Sequence, residues 1–256
     1  MRHIRVIPAL LLRNQGLIKT IKFKDYRYIG DPINAIRIFN EKEVDELLLL
    51  DTQASRENRR PNFKLIADVA GECFMPLGYG GGICDLEDMH KLFSIGVEKI
   101  VLNSNAVRNP SLVEKAAHNF GSQSVIVSID TKKDIFGRYL VYTCGGTTST
   151  RISPLALAKK MENSGAGEII LTSIDRDGTM QGYDIDLLKQ VTSQIRIPLI
   201  ASGGAGNIED FKKAIFEGGA SAVTAGSMFV YHGRHKAVLI NYPEYNNFKG
   251  SLFIFT

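Results

Sequence analysis

The chain has 256 residues, 31 Lys and Arg against 27 Asp and Glu for a formal charge of +4, and 44% hydrophobic residues. That composition excludes disordered, collagen-like and coiled-coil proteins, and no apolar run reaches the roughly 20 residues of a membrane span. The charge is mild, the lysines are scattered and recognition-motif aromatics are lacking, so nucleic acid is not an expected partner.

From the amino end, MRHIRVIPALLL reads as a strand and not as a cleaved signal, so a cytoplasmic protein is expected. Short apolar runs predict strands at 5–11, 46–51, 75–80, 99–103, 124–130, 168–173, 197–202 and 222–225. Amphipathic stretches between them predict helices at 31–43, 63–71, 86–94, 112–119, 154–164, 185–192 and 208–217. Asp85 and Asn207 supply helix starts, with carboxylates placed for capping boxes, and Gly96 and Gly218 stand where helices should stop. An internal repeat fixes the closure. Residues 75–107 laid over 197–229 at a constant offset of 122 match Pro76 with Pro198, Gly81-Gly82 with Gly203-Gly204 and Glu87-Asp88 with Glu209-Asp210. Two homologous halves of four βα units make a (βα)8 TIM barrel, one domain over 1–256, with a divergent tail from about 230. In that tail the run KAVLINYP is an odd eighth helix, and no element is assigned to it.

Barrel chemistry sits at the carboxyl ends of the strands. Two ends are glycine-rich, Tyr79-Gly80-Gly81-Gly82 and Ser202-Gly203-Gly204-Ala205-Gly206, and each is followed one strand later by a short polar end, Asn103-Ser104 and Gly226-Ser227. Small residues let backbone N–H groups reach an anion, so the recurrence in both halves points to a substrate with a phosphate at each end. A single glycine run would read as a tight turn. Of the acidic strand ends Asp51, Asp130, Asp175 and Asp177, any can cap a turn or helix, the commoner role for Asp175, whereas Asp130 ends an apolar strand and would point into the mouth, where partial desolvation suits acid/base work. The position related to Asp130 by symmetry is Leu11. At the opposite end, Arg5, Glu46, Lys99 and Glu168 begin strands; from the residues alone they read as an ion-paired bottom layer.

The remaining candidates carry less. Cys73, Cys84 and Cys144 form neither a disulfide framework nor a metal pair, and Cys73 and Cys84 read as small core or rim residues. His232 and His235 have no third ligand, so no metal is expected. The lysine-rich loop IKTIKFKDYRY carries charge and aromatics suited to closing over phosphates.

The stretches DPINAIRIFNEKEVDELLLLD, GGGI, NSNAVRNPSL, FGSQSVIVSID, GAGEIILTSIDRDGT and IPLIASGGAG resemble HisF, the cyclase subunit of imidazole glycerol phosphate synthase, over about residues 5–229. The resemblance implies a (βα)8 barrel without cofactor, partnered by a HisH-like glutaminase whose ammonia crosses the barrel to a bisphosphorylated ribulosyl substrate. It implies one phosphate site at Gly82, Asn103 and Ser104, and a second at Asp177, Gly178, Gly204, Gly226 and Ser227. Lys19 matches a substrate-contacting lysine, and Arg5, Glu46, Lys99 and Glu168 match a charged gate for ammonia.

Of the family's two catalytic aspartates one matches Asp130, and the other falls on Leu11. Loss of one acid/base partner implies a rate lower by roughly 10²–10⁴. Leu11 and the altered tail together resemble HisF-like proteins of glycosyl amidation, which implies ammonia delivery to a separate sugar amidotransferase. The alternatives are a histidine-pathway cyclase that uses another residue, and more distantly an isomerase of the sister HisA type, which would not need the four-charge gate.

Overall fold

The computed structural model describes residues 4–243, and the expected single domain over 1–256 extends beyond them at both ends. Eight parallel strands close on themselves: β1 (Arg5–Arg13), β2 (Leu47–Asp51), β3 (Leu77–Gly80), β4 (Lys99–Leu102), β5 (Val125–Lys133), β6 (Glu168–Ser173), β7 (Leu199–Ser202) and β8 (Ala222–Ala225). Each pairs with its sequence neighbour, and β8 returns to β1 in the register Arg5 to Ala222. The expected barrel is the fold found.

Parallel strands in a barrel are covered on both faces, which is why they read as nearly unbroken apolar runs such as Leu47–Leu50. Side chains alternate between the two faces. Ile7, Leu48, Val101, Ile126, Ile170, Ile200 and Ala222 fill the interior as a cluster of their own, while a larger apolar layer lies between strands and helices. Above the Arg5 level, Ile7, Ala9 and Leu11 therefore climb the inside of β1 toward the mouth.

The longer helices are α1 (Pro32–Glu41), α2 (Phe63–Glu72), α3 (Leu86–Ser94), α4 (Ser111–Phe120), α5 (Pro154–Asn163), α6 (Ile185–Thr192) and α7 (Ile208–Lys212), and single helical turns at Ser104–Arg108 and Ser227–Val230 follow β4 and β8. All but α4, which begins after Pro110, start at a side chain that accepts a backbone N–H of the first turn, among them Asp31 before Pro32, Asn62, Ser153 and Asp184. Asn207 and Asp210 form the full reciprocal box. At Asp85 the box is half made, because the Asp88 side chain accepts from Cys84 N–H and pairs with Arg60 instead. Downstream of α7 the chain continues as a π-turn, Lys213–Glu217, and stops at Gly218; the left-handed residue is Gly219 at φ +74°.

Two features depart from the expected plan. The lysine-rich loop is a β-hairpin, Gly16–Ile21 against Lys24–Gly30, and β5 runs past the barrel into a second hairpin with Tyr139–Thr143. The first was hidden because its turn places Lys22 and Phe23 at φ +54° and +61°, with no glycine or asparagine to announce it. In place of an eighth helix, the tail forms a small hairpin, Tyr231–His232 with Ala237–Val238. An extended stretch follows, in which Leu239 and Asn241 N–H groups bond Val230 and Phe229 carbonyls and the Tyr242 hydroxyl donates to Val6 O at 3.1 Å. Tail residues 244–256 lie outside the described residues.

Candidate active site

The four charged strand starts meet at the amino end. Arg5 donates to Glu46 at 2.6 Å and to Glu168 at 2.6 Å, and Lys99 donates to the same two carboxylates, each at 2.9 Å. The result is a closed ring in which each cation bridges both anions, lying directly beneath the apolar interior layer. Burial alone would raise Glu168, but the hydrogen bonds and charges of Arg5 and Lys99 outweigh it and hold its pKa below the ordinary carboxylate value. A polar floor opens onto a hydrocarbon interior that an uncharged small molecule tolerates and an ion does not.

At the carboxyl end one cavity of about 540 Å³ brings together every other residue expected at the site. Gly82, Asn103 and Ser104 line one side of it, with Asp130 hydrogen-bonded to Asn103; Asp177, Gly178, Gly204, Gly226 and Ser227 line the other, with Lys19 beside Gly226. Backbone contacts at positive φ require glycine at Gly178 and Gly204, where a Cβ would lie 2.1 Å from the Thr20 carbonyl and 2.2 Å from the Gly182 carbonyl; a Cβ on Gly226 would meet the end of the Lys19 side chain, 2.0 Å from Nζ.

Asp130 is the buried acid of the mouth. Asn103 Nδ2 donates to its Oδ2 at 3.1 Å and the Ser128 hydroxyl to its Oδ1 at 3.3 Å. Desolvation dominates these contacts and lifts its pKa to about 7. A carboxyl poised near neutrality can both give and take a proton. Lys19 is buried with its ammonium 2.6 Å from the Ala9 carbonyl, and burial lowers its pKa to about 8 against the opposing charge of Asp177. Burial likewise raises Asp177, although Lys19 and the Thr20 hydroxyl, 3.1 Å away, favour its charged form. Leu11 lines the same cavity, paired in the strand register with Leu50. The mouth is thus divided, apolar along Ala9, Leu11, Leu48 and Leu50 and polar along Asn103, Ser128, Asp130 and Thr172.

Ser128, Thr172 and Thr224 were not singled out from the sequence, although each stands two residues from an inward neighbour, Asp130, Ile170 or Ala222, and period two was the available signal. The strap over the first glycine nest gave no such signal. Arg56 donates from Nε to Cys144 O at 3.0 Å and from its other end to Gly145 O, while Cys144 N–H donates to the Ser104 hydroxyl at 3.0 Å. Asp175 is a clamp between elements rather than a cap on its own turn, since its carboxylate accepts the Lys133 N–H at 2.9 Å. Asp51 caps the loop after β2 through Gln53 and Ala54 N–H groups and pairs with Arg59. Among the described residues no group of three His, Cys, Asp or Glu side chains is placed to hold a metal ion, and no helix is long and apolar enough to cross a membrane.

Comparison with known proteins agrees with the architecture. Residues 5–236 match the family model described as "Histidine biosynthesis protein". A protein of Pseudomonas aeruginosa provisionally named imidazole glycerol phosphate synthase subunit hisF2 is 55% identical over 242 residues, 94% of this chain and 96% of that protein. A Leptospira interrogans protein with the provisional name of subunit HisF is 53% identical over 94% of this chain and 95% of its own length. The imidazole glycerol phosphate synthase subunit HisF of Alkaliphilus metalliredigens is 42% identical over 89% of this chain and 90% of its own.

Proposed function

This chain belongs to the HisF family, and from that premise we propose that it is the synthase-side subunit of a glutamine amidotransferase, receiving ammonia from a HisH-like glutaminase at the ringed floor and releasing it at the mouth. The two glycine nests hold the ends of a bisphosphorylated ligand or an analogue. Gly82, Asn103 and Ser104 serve one phosphate; Gly204, Gly226 and Ser227 serve the other, with Lys19 and Asp177 beside it. The ring of Arg5, Glu46, Lys99 and Glu168 is the gate. Ammonia passes as the neutral molecule, since the apolar interior layer excludes ammonium.

Cyclisation is weak or lost in this reading, and the ammonia goes to a separate sugar amidotransferase. The observation that carries this is Leu11. Ring closure and lysis require protons to move at two places on the substrate, and Asp130, near pKa 7, can serve one of them. Across the mouth, Leu11 offers only hydrocarbon. A second reading, a histidine-pathway cyclase, is favoured by the names of relatives such as the Alkaliphilus protein.

Bulk ammonium salt separates the two, because it bypasses the glutaminase. Supplied with ammonium and the ribulosyl substrate, the purified chain should turn over at least about 10²-fold more slowly than a cyclase whose two aspartates are intact. A rate in the ordinary enzymic range of about 1–10³ per second would establish the cyclase instead.

A further inference from the structure

Each glycine nest is held from behind by one carboxylate, and the 122-residue repeat lays the two on one another, Asp88 on Asp210. The Asp88 carboxylate accepts the Cys84 N–H at 2.9 Å; the Asp210 carboxylate accepts the Gly206 N–H at 2.8 Å and the Asn207 N–H at 3.1 Å. Other side chains cap the helices that follow, since Asp85 and Asn207 accept the N–H groups of Asp88 and Asp210 themselves. Asp88 and Asp210 therefore reach back past the helix start into the glycine loop.

What they hold is the peptide next to the nest. Among the described residues, the N–H groups of Gly82 and Ile83 on one side, and of Gly204 and Ala205 on the other, meet no acceptor, and all four residues line the cavity. Successive N–H groups without a partner are what an anion can take up. The next N–H along the chain, that of Cys84 or Gly206, is the one the carboxylate engages. That bond limits how far the free pair can turn away from the cavity. Neither Asp88 nor Asp210 lines the cavity itself.

The two nests differ behind the carboxylate. Asp88 is wholly buried, and Arg60 forks onto it at 2.9 Å and onto Asp85 at 2.6 Å. The guanidinium offsets the cost of burying that charge. Gly82 backs onto the same segment, where a Cβ would lie 2.4 Å from the Arg59 carbonyl. In the second half the repeat puts Gly182 in the place of Arg60, and a Cβ built there would lie 3.1 Å from Asp210 Oδ1. Asp210 thus meets bare backbone where Asp88 meets a cation.

We propose that Asp88 and Asp210 are positioning residues for the two phosphate nests, with Arg60 a third that acts on the first nest alone. The inference rests on the phosphate reading above and adds the groups that keep each nest turned toward its anion. They touch no ligand and act through the Cys84 and Gly206 amides. A side chain that only started a helix would stabilise the chain and leave phosphate affinity as it was.

The test titrates the full chain with inorganic phosphate and follows the backbone amide ¹H–¹⁵N signals, so that each nest is the control for the other. In the parent, Gly82 and Ile83 should shift as one set and Gly204 and Ala205 as another. Asp88→Ala should weaken phosphate at the first set about tenfold and leave the second within about twofold, and Asp210→Ala should do the reverse. Asp210→Asn keeps one oxygen to accept both amides and should bring the second nest back to parental affinity. Arg60→Gln, at a half-exposed side chain, should weaken the first nest several-fold and spare the second. Unchanged phosphate affinity in both alanine variants, whatever their thermal stability, would overturn the proposal and leave the two carboxylates as helix-start residues. Equal weakening of both nests by either alanine variant would also overturn it, because the loss would then belong to the barrel as a whole. A parent chain in which phosphate shifts neither set would instead overturn the phosphate reading itself, and the positioning role with it.

Discussion

The floor and the mouth of this barrel handle charge in opposite ways. At the floor, two cations and two carboxylates neutralise one another within 2.6–2.9 Å, and no charge is left over for chemistry. At the mouth, Asp130 is bonded by neutral groups, the Asn103 amide and the Ser128 and Thr172 hydroxyls, and burial outweighs them, so its charged form is costly and its proton mobile. The contrast separates a structure suited to passage from one suited to reaction. At the floor every carboxylate faces a cation, whereas at the mouth the inner position of β1 across from Asp130 is Leu11.

The largest effect should come from adding a carboxylate to the mouth. Leu11→Asp places a carboxylate opposite Asp130 and, on the proposed reading, should raise cyclase turnover with bulk ammonium by about 10²-fold or more. An unchanged rate would move the deficit to the hairpin or the tail. At the floor, Lys99→Ala leaves Arg5 bridging both carboxylates, so stability should fall by only about 1–3 kcal/mol. Glutamate released per amidated product should nevertheless rise several-fold in the reconstituted complex. A constant ratio would reduce the ring to a structural ion cluster. Within the mouth, Gly226→Ala must displace Lys19 Nζ and should weaken inorganic phosphate at the second nest about tenfold. Crystals grown in phosphate should then show an anion beside Gly82 and Ser104 alone, where the unchanged chain should show two.

Much of this contrast was legible in the sequence because a barrel strand reports its inner face every second residue. Arg5, Glu46, Lys99 and Glu168 each begin or directly precede an inner run, and Asp130 and Leu11 each lie on the inner face near a strand's mouth end. Parity and the 122-residue repeat were therefore enough to place the ring, both glycine-rich ends and the pairing of Asp130 with Leu11. Contacts between loops far apart in sequence left no such mark. Arg56 reaches Cys144 and Gly145 across 88 and 89 residues, and nothing local in either segment announces the bond. The first hairpin was hidden by the side chains in its turn. The tail was illegible for another reason: its extended stretch is held by the carbonyls of Phe229 and Val230, not by a periodic apolar face of its own.

The smallest effect tests the contrast through pH alone. Burial raises Asp130 to about 7, while the unfolded chain titrates it near 3.9. Between those values the unfolded state ionises first, so native stability falls as pH rises, and the full penalty is present above about 7. Asp130→Asn removes the titration and keeps an acceptor for Asn103. The variant should therefore unfold about 2–8 °C higher than the parent at pH 8, with the difference vanishing near pH 4. Glu168 should behave in the reverse sense, because Arg5 and Lys99 hold its pKa below the ordinary value. Its stabilisation is present above the unfolded pKa and is lost as pH falls through the folded one. Glu168→Gln should thus destabilise at pH 7, and the loss should fade as acid protonates the parent. Thermal scans of both variants across pH 4–8 would show two slopes of opposite sign. Parallel slopes would mean that the mouth is as well neutralised as the floor, and Asp130 would then have no claim to a mobile proton.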